Sequence, residues 1–307
     1  MGQAQPAQPH LRPRQRPVAG AAVADYSIWV LEYACAPDSP ACFLVHGQQG
    51  TRELPYSLTV LQSGRRTVLV DTGFVNEGFS RTLGELDGIT RWARPREVLG
   101  RIGVDPAEVS AVLLTHAHYD HLGTLDDFPN AVAWLQEREL FGWLRALSWP
   151  PEMQWLKDGV NADDLATALE LTRQGRLRLV DGRVPDVLPG LCLEPTFDTH
   201  TYGHQHVVVD NEHDGTWVLP GDAVYTYANV EGVDGDGRYV PIGFATGSQQ
   251  KCIFAMHQMM QTVGGRSDRI VPGHEVLLWE RHRSRTFDDG LHVAEVSLRP
   301  GDTSRLE

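Results

Sequence analysis

The fold is decided by the stretch Val112-Leu113-Leu114-Thr115-His116-Ala117-His118-Tyr119-Asp120-His121-Leu122-Gly123. An apolar run leads directly into three histidines and one aspartate. The run predicts a buried strand because it is short, apolar and followed at once by polar residues. Alternate side chains of an extended segment share a face, so His116 and His118 are expected to point the same way from the end of the strand.

Metal binding explains why these polar groups are crowded together. Imidazole and carboxylate groups that are buried without partners are costly, and a bound cation removes that cost. Imidazole combined with carboxylate suits zinc, iron, cobalt or nickel better than calcium or magnesium. The alternative is a polar loop in which histidines cluster by chance.

The pattern His-x-His-x-Asp-His, which spans residues 116–121, resembles the signature of the metallo-β-lactamase superfamily. The resemblance is strongest to the N-acyl-homoserine lactone lactonase-like group. It implies an α+β fold, a four-layer αβ/βα sandwich in which two mixed sheets are flanked by helices. It also implies one or two metal ions at the edge of the sandwich.

Later segments are similar to the family's remaining ligand motifs. Residues 198–204, Asp-Thr-His-Thr-Tyr-Gly-His, match a ligand segment in which His200 binds metal and His204 is its neighbour, although the family's two prolines and first glycine are missing. A strand that ends in Pro-Gly-Asp makes Asp222 the carboxylate that bridges two ions. Val-Pro-Gly-His makes His274 the last ligand.

The resemblance therefore implies two divalent ions, with zinc as the expected metal and iron, cobalt or manganese as alternatives. One ion would be held by His116, His118, His200 and Asp222, and the other by Asp120, His121, His274 and Asp222. Asp71, in an Asp-Thr-Gly motif after a predicted strand, is expected to support the metal loop without binding metal itself.

Tyr225 follows Asp222 by three residues, as does a tyrosine that contacts the substrate carbonyl in the lactonases. The resemblance implies a hydrolase that opens a lactone by attack of a metal-bridging hydroxide. Tyr225 would stabilise the oxyanion, and Asp120 would pass a proton to the leaving alkoxide. The alternative is a hydrolase of another ester, cyclic amide or thioester, similar to glyoxalase II.

Residues 141–165 are rich in aromatic and apolar side chains and are expected to form a lid-like insertion. Trp149, Met153 and Trp155 are predicted to line an apolar substrate pocket beneath it. The expected partner is a small molecule with a carbonyl ester, lactone or amide. A homodimer is possible because dimers are common among the relatives.

Composition excludes some other classes of function. The chain has 40 acidic and 27 basic side chains and a formal net charge of −13, which disfavours nucleic acid as a partner. No apolar run approaches the length of a membrane-spanning helix. Residues 1–24 predict a disordered tail, with a secretion signal as the alternative, and residues 25–307 predict one domain. The four cysteines form no C-x-x-C pair, and we expect free thiols in a cytoplasmic enzyme; the alternative is a disulfide between Cys35 and Cys42 in an oxidising compartment.

Hydrophobic periodicity predicts the remaining elements of the fold. We expect helices at residues 95–103, 137–147 and 248–263, and a hairpin formed by residues 57–62 and 67–70. Further strands are expected at residues 26–33, 42–46 and 131–135. A second sheet is expected from residues 177–180, 191–194, 207–209 and 216–219. Residues 269–271 are expected to form the last strand, because the charged tail after His282 has little periodicity.

Overall fold

The structure is a computed structural model that describes residues 24–307. The predicted tail, residues 1–24, lies outside this range except for Ala24, and the single domain stays a prediction. The strands are β1 (Ser27–Pro40), β2 (Thr51–Ser63), β3 (Arg66–Val70), β4 (Arg91–Trp92), β5 (Val109–Leu113), β6 (Val132–Gln136), β7 (Leu177–Val180), β8 (Val184–Leu188), β9 (Leu191–Pro195), β10 (Gln205–Asn211), β11 (Gly215–Leu219), β12 (Arg283–Thr286) and β13 (His292–Ser297).

The α-helices confirm the three predicted ones within one or two residues at each end. They are α1 (Ala41–Leu44), α2 (Gly78–Leu86), α3 (Pro95–Arg101), α4 (Tyr119–Leu122), α5 (Glu137–Leu147), α6 (Ala162–Arg173), α7 (Tyr227–Glu231), α8 (Gln249–Thr262) and α9 (Leu278–Arg281). Short 3₁₀ helices include Pro151–Lys157, which lies between α5 and α6 in the predicted insertion.

The strands form two sheets. The first has the order β12-β13-β1-β2-β3-β5-β6-β7, with β4 also paired to β1. It is mixed, because β3, β5, β6 and β7 run parallel while the other pairs are antiparallel. The second sheet, β11-β10-β9-β8, is antiparallel, and one parallel bridge joins Val218 to Ile270 beside it.

Alternating side chains of the strands separate the hydrophobic core into three layers. Ile28 and Val30 of β1 face Val207 and Val209 of β10 between the two sheets. On the other side of the first sheet, its apolar residues pack against α3, α5 and α6. On the outer side of the second sheet, Val208 packs with the apolar face of α8. Helices therefore cover both outer faces, which confirms the four-layer αβ/βα sandwich.

Four expectations about strands, or about the sheet that a strand joins, are wrong. The main reason is that long-range pairing decides sheet membership. Residues 42–46 lie in and after the short helix α1. Residues 177–180 do form β7, but they extend the first sheet beside β6. Residues 269–271 contribute only the bridge at Ile270. The tail after His282 supplies β12 and β13, and β13 pairs with β1 at the far end of the sequence.

Two further expectations concern the whole chain. Within residues 24–307, no helix is long and apolar enough to cross a membrane. All four cysteines fall in this range and are free thiols.

Candidate metal centre

The first four candidate ligands leave the first sheet at the end of β5. His116 and His118 lie in the extended segment after the strand, and His118 immediately precedes α4. Asp120 and His121 lie within that single helical turn, so all four side chains reach the same end of the sheet. All four residues are buried, with at most 7% of each exposed.

The seven predicted ligands form two groups that share Asp222. One group is His116, His118, His200 and Asp222, and the other is Asp120, His121, His274 and Asp222. In each group the ligand atoms all lie within 4.8 Å of one another. The structure thus brings together every predicted ligand, in the predicted division.

Asp222 presents one carboxylate oxygen to each group. Its Oδ2 atom lies 3.3 Å from His200 Nε2 and 3.8 Å from His116 Nε2. Its Oδ1 atom lies 3.2 Å from His121 Nε2 and 3.3 Å from His274 Nε2. This arrangement is what a carboxylate that bridges two cations requires.

Several buried atoms in the centre lack a hydrogen-bond partner among the described residues. They are His116 Nε2, His118 Nε2, His121 Nε2 and Asp222 Oδ1. Polar atoms that are buried and unpaired are costly, and a cation at these positions would satisfy them. The residues therefore fit a pair of divalent ions.

The three histidines of the first group are neutral imidazoles. Burial lowers the pKa of His118 to about 3 and that of His200 to about 3. Burial, reinforced by His121, holds the pKa of His116 well below its usual range. Neutral imidazole is the form that binds metal, so this group needs no proton release to accept a cation.

The second group behaves as a set of ion pairs. Although burial favours the neutral ring, the carboxylates of Asp120 and Asp222 raise the pKa of His121 well above its usual value. Burial likewise opposes charge on His274, but Asp222 raises its pKa. In return, despite burial, His121 and His274 hold the pKa of Asp222 well below its usual range.

Residues outside the centre fix the orientation of the imidazoles. Asp71 Oδ2 accepts from His121 Nδ1 at 2.8 Å, and Asp71 Oδ1 accepts from the backbone N–H of Thr115 at 2.8 Å. The Nδ1 atoms of His200 and His274 donate to the carbonyls of Phe244 (2.9 Å) and Pro55 (2.7 Å). Because Nδ1 of each ring donates its proton to a carbonyl, the lone pair of the ring is on Nε2, which faces the centre.

Gly221 lets the short 3₁₀ turn after β11, which carries Asp222, approach the metal loop. Gly221 has a φ of +53°, and an added Cβ would lie 2.6 Å from the Thr115 side chain. The Pro-Gly-Asp sequence after β11 is therefore required by both backbone conformation and space.

The sequence model of the Metallo-beta-lactamase superfamily matches residues 51–274, which include all seven ligands. The chain belongs to this superfamily. Together with the geometry of the centre, the match identifies a metal-dependent hydrolase with a site for two divalent cations.

Sequence relatives of this metallo-β-lactamase superfamily member are lactonases. An N-acyl homoserine lactonase from Bacillus sp is 26% identical over 233 residues, which cover 73% of this chain and 82% of the relative. N-acyl homoserine lactonase AiiA from Bacillus thuringiensis subsp. kurstaki is 25% identical over 232 residues, with the same coverage. AttM from Azorhizobium caulinodans, an N-acyl homoserine lactonase, is 26% identical and covers 59% of this chain and 69% of its own.

Solved structures confirm the superfamily fold. A quorum-quenching N-acyl homoserine lactone hydrolase superposes with a TM-score of 0.62 at 20% identity, covering 86% of this chain and 97% of that one. The hydrolase AbOPH, described as a member of the beta lactamase superfamily, gives 0.63 at 17% identity, covering 90% and 99%.

A cavity of about 320 Å³ opens beside the centre and is lined mainly by apolar side chains. Tyr225 lies in its wall, with its ring centroid 4.8 Å from that of His274 and 5.6 Å from that of His200. Burial holds the pKa of Tyr225 well above its usual value, so the hydroxyl keeps its proton. It can therefore donate a hydrogen bond to an oxygen that binds at the centre.

Of the three predicted pocket residues in the insertion, the structure places only Trp155 in the cavity wall. Trp149 instead packs against the outer core, with its ring 6.3 Å from that of Tyr202. Met153 lies at the surface and is 39% exposed. Met153 and Trp155 lie in the 3₁₀ helix Pro151–Lys157, of which only some side chains face inward, and Trp149 precedes that helix. Asp158 and Gly159 of the same segment do line the cavity.

Sequence reasoning missed the other cavity walls and one buried carboxylate. Phe43, Leu83 and Phe244 line the cavity but come from three distant segments with no common pattern. Glu139 is fully buried beside the metal loop. Its burial could have been predicted from the sequence, because it lies on the side of the predicted helix that carries the apolar residues Leu140 and Trp143.

Proposed function

We propose that the protein is a lactonase that hydrolyses N-acyl homoserine lactones or similar small lactones with zinc as its metal. The observation that carries this proposal is the pair of ligand groups joined by Asp222, at the base of an apolar cavity that Tyr225 faces. The names of the sequence relatives support the lactone as substrate.

The chemistry supplied by a bound cation pair is a hydroxide nucleophile at neutral pH and polarisation of the carbonyl that it attacks. The remaining roles belong to the chain. Tyr225 donates a hydrogen bond from its hydroxyl to the carbonyl oxygen as negative charge develops there, and it keeps its proton. Asp120, whose Oδ2 atom lies 3.3 Å from His121 Nε2 and which lines the cavity, would take the proton that the nucleophile loses on attack and pass it to the leaving ring oxygen as the ring C–O bond breaks.

The cavity walls suit a neutral substrate with an apolar substituent. Leu54, Leu83 and Phe244 provide apolar surface on different sides. The lining residues include the carboxylates of Asp87 and Asp158 but neither lysine nor arginine. Away from the cations, the wall therefore offers no basic side chain that could bind a carboxylate of the substrate.

This electrostatic argument disfavours the glyoxalase II-like alternative, whose glutathione thioester carries carboxylates. Arg281, which follows the ligand His274 by seven residues and could bind such a carboxylate, instead pairs with Glu231 at 2.6 Å and lies over the ring of Tyr227. The cytoplasmic location and the homodimer stay predictions.

A substrate panel tests the proposal. Metal-loaded protein would be offered four compounds: N-hexanoyl homoserine lactone, the open-chain N-hexanoyl homoserine amide that lacks the lactone ring, a glutathione thioester and a β-lactam. Mass spectrometry would follow the hydrolysis of each. We expect the lactone to have the highest kcat/KM, by at least tenfold. Faster turnover of the thioester would overturn the lactonase proposal while leaving the hydrolase scaffold in place.

A further inference from the structure

Glu139 is a fully buried carboxylate close to the metal centre that belongs to neither ligand group. It lies in the first turn of α5 and accepts four hydrogen bonds. Oε1 accepts from the backbone N–H of Ala117 at 3.0 Å and from Trp143 Nε1 at 2.7 Å. Oε2 accepts from Thr201 Oγ1 at 2.8 Å and from the backbone N–H of Gly203 at 2.6 Å.

Three of the four donors belong to the two loops that carry the histidines of one ligand group, and the fourth, Trp143, lies on α5 itself. Ala117 separates His116 from His118, and Thr201 directly follows His200. One oxygen of Glu139 therefore holds the first loop and the other oxygen holds the second. Charge-assisted hydrogen bonds of this kind are about twice as strong as neutral ones.

Packing around Glu139 leaves little freedom to either loop. A Cβ added at Gly203 would lie 2.1 Å from the backbone nitrogen of Glu139, so the second loop touches the start of α5 directly. The ring of Trp143, which is held by Glu139, lies 5.3 Å from the ring of His118.

The other ligand group is supported by different residues. Asp71 orients His121, and the carbonyl of Pro55 orients His274. None of the four hydrogen bonds of Glu139 reaches the residues of that group. Substitution of Glu139 should therefore change the cation affinity of the two halves of the centre unequally.

We propose that Glu139 is a positioning residue that sets the distance between the His116–His118 loop and the His200 loop, and so sets the cation affinity of that half of the centre. The inference rests on the two-cation centre and is independent of which substrate is hydrolysed. A failed lactone assay would leave it standing.

The test is the variant Glu139→Gln, which keeps the size of the side chain but turns an NH₂ group toward two of the four donors. Crystals of metal-stripped protein would be equilibrated at a series of buffered free zinc concentrations. Anomalous diffraction at the zinc edge then gives the occupancy, and thus the affinity, of each half separately. We expect zinc bound by His116, His118 and His200 to be about 10–100-fold weaker than in the wild type. The half that contains His274 should change less than threefold.

The matched control is Glu137→Gln, which makes the same change at an exposed position in the same turn of α5. It should leave both affinities unchanged. If Glu139→Gln does not fold, Thr201→Val removes one donor and keeps the carboxylate, and it should weaken the same half by a smaller factor. Equal weakening of both halves would mean a purely structural role, and unchanged affinities would mean no role; either result overturns the inference.

Discussion

Asp222 is the residue on which both halves of the centre depend, because each of its carboxylate oxygens faces one group of ligands. The histidines around it differ in the direction of their pKa shifts. Burial lowers the pKa of His116, His118 and His200, whereas the carboxylates of Asp222 and Asp120, acting against burial, raise the pKa of His121 and His274. The two halves therefore differ in their electrostatic surroundings.

Tyr225→Phe tests the role of the one hydroxyl that we assign to the carbonyl oxygen. Removal of a single oxyanion donor commonly lowers kcat by about 100–1,000-fold, and a partly exposed site should show the lower end of that range. We expect a loss of about 100-fold in kcat for lactone hydrolysis, measured by steady-state kinetics. Metal content should stay at the wild-type value, and a variant with wild-type kcat would remove Tyr225 from the mechanism.

The seven ligands could be predicted from sequence because each follows a strand or turn within a short motif. The positions of Trp149 and Met153 could not, because packing sets the direction of a side chain both in the 3₁₀ helix that contains Met153 and in the irregular segment before it that contains Trp149. Glu139 could have been found, since a glutamate on an apolar helix face must be satisfied by buried donors.

At the scale of elements, α6 carries an acidic side chain in an unfavourable position. Asn161 caps this helix by accepting from the backbone N–H of Asp163. In the next position Asp164 has a buried Oδ2 atom without a hydrogen-bond partner among the described residues. Burial, together with Asp163 and Asp126, raises the pKa of Asp164 to about 7.

This shift makes stability depend on pH in a defined direction. In the unfolded chain an aspartate ionises near pH 4, whereas Asp164 in the folded chain stays protonated up to about pH 7. The folded state therefore binds the extra proton, and its stability falls as pH rises from about 4 to about 7. Above about pH 7 the folded chain carries the full free-energy cost of burying the ionised Asp164 carboxylate.

Asp164→Asn should remove the penalty. We expect the variant to be more stable than the wild type by up to about 4 kcal/mol at pH 8, with little difference at pH 4. Denaturant unfolding of both proteins at the two pH values measures this. Asp234→Asn, which makes the same change at an exposed position outside α6, serves as the control and should change stability by less than about 0.5 kcal/mol. Equal effects at pH 4 and pH 8 would contradict the assignment.

Elements were easier to predict than their partners. The helix Glu137–Leu147 and the strand Leu177–Val180 have the predicted bounds. The sheet to which the strand belongs was wrong, because a short apolar run does not show which neighbour it pairs with. The strand His292–Ser297 was missed because both faces of its sheet are covered and its pattern does not alternate cleanly.

At the scale of the whole molecule, the centre joins segments from both sheets. Its ligands come from the ends of β5 and β11 and from loops before β10 and after Ile270. Bound cations would therefore cross-link both halves of the sandwich, so their removal should be felt throughout the fold.

Removal of metal by a chelator should lower the melting temperature. A ligand at 100 times its Kd stabilises the folded state by about 2.7 kcal/mol, which corresponds to a shift of about 4 °C for one ion in a domain of this size. Calorimetry with and without chelator measures the shift, and added zinc should restore it together with lactone turnover. An unchanged melting temperature would mean that the buried ligands do not hold a cation in solution.

The most direct measurement is an anomalous difference map from a crystal of the zinc-loaded protein. We predict two peaks, one bound by His116, His118 and His200 and the other by Asp120, His121 and His274, with Asp222 between them. A map with no peak at these residues, or with a single ion that Asp222 does not contact, would contradict the two-cation hydrolase.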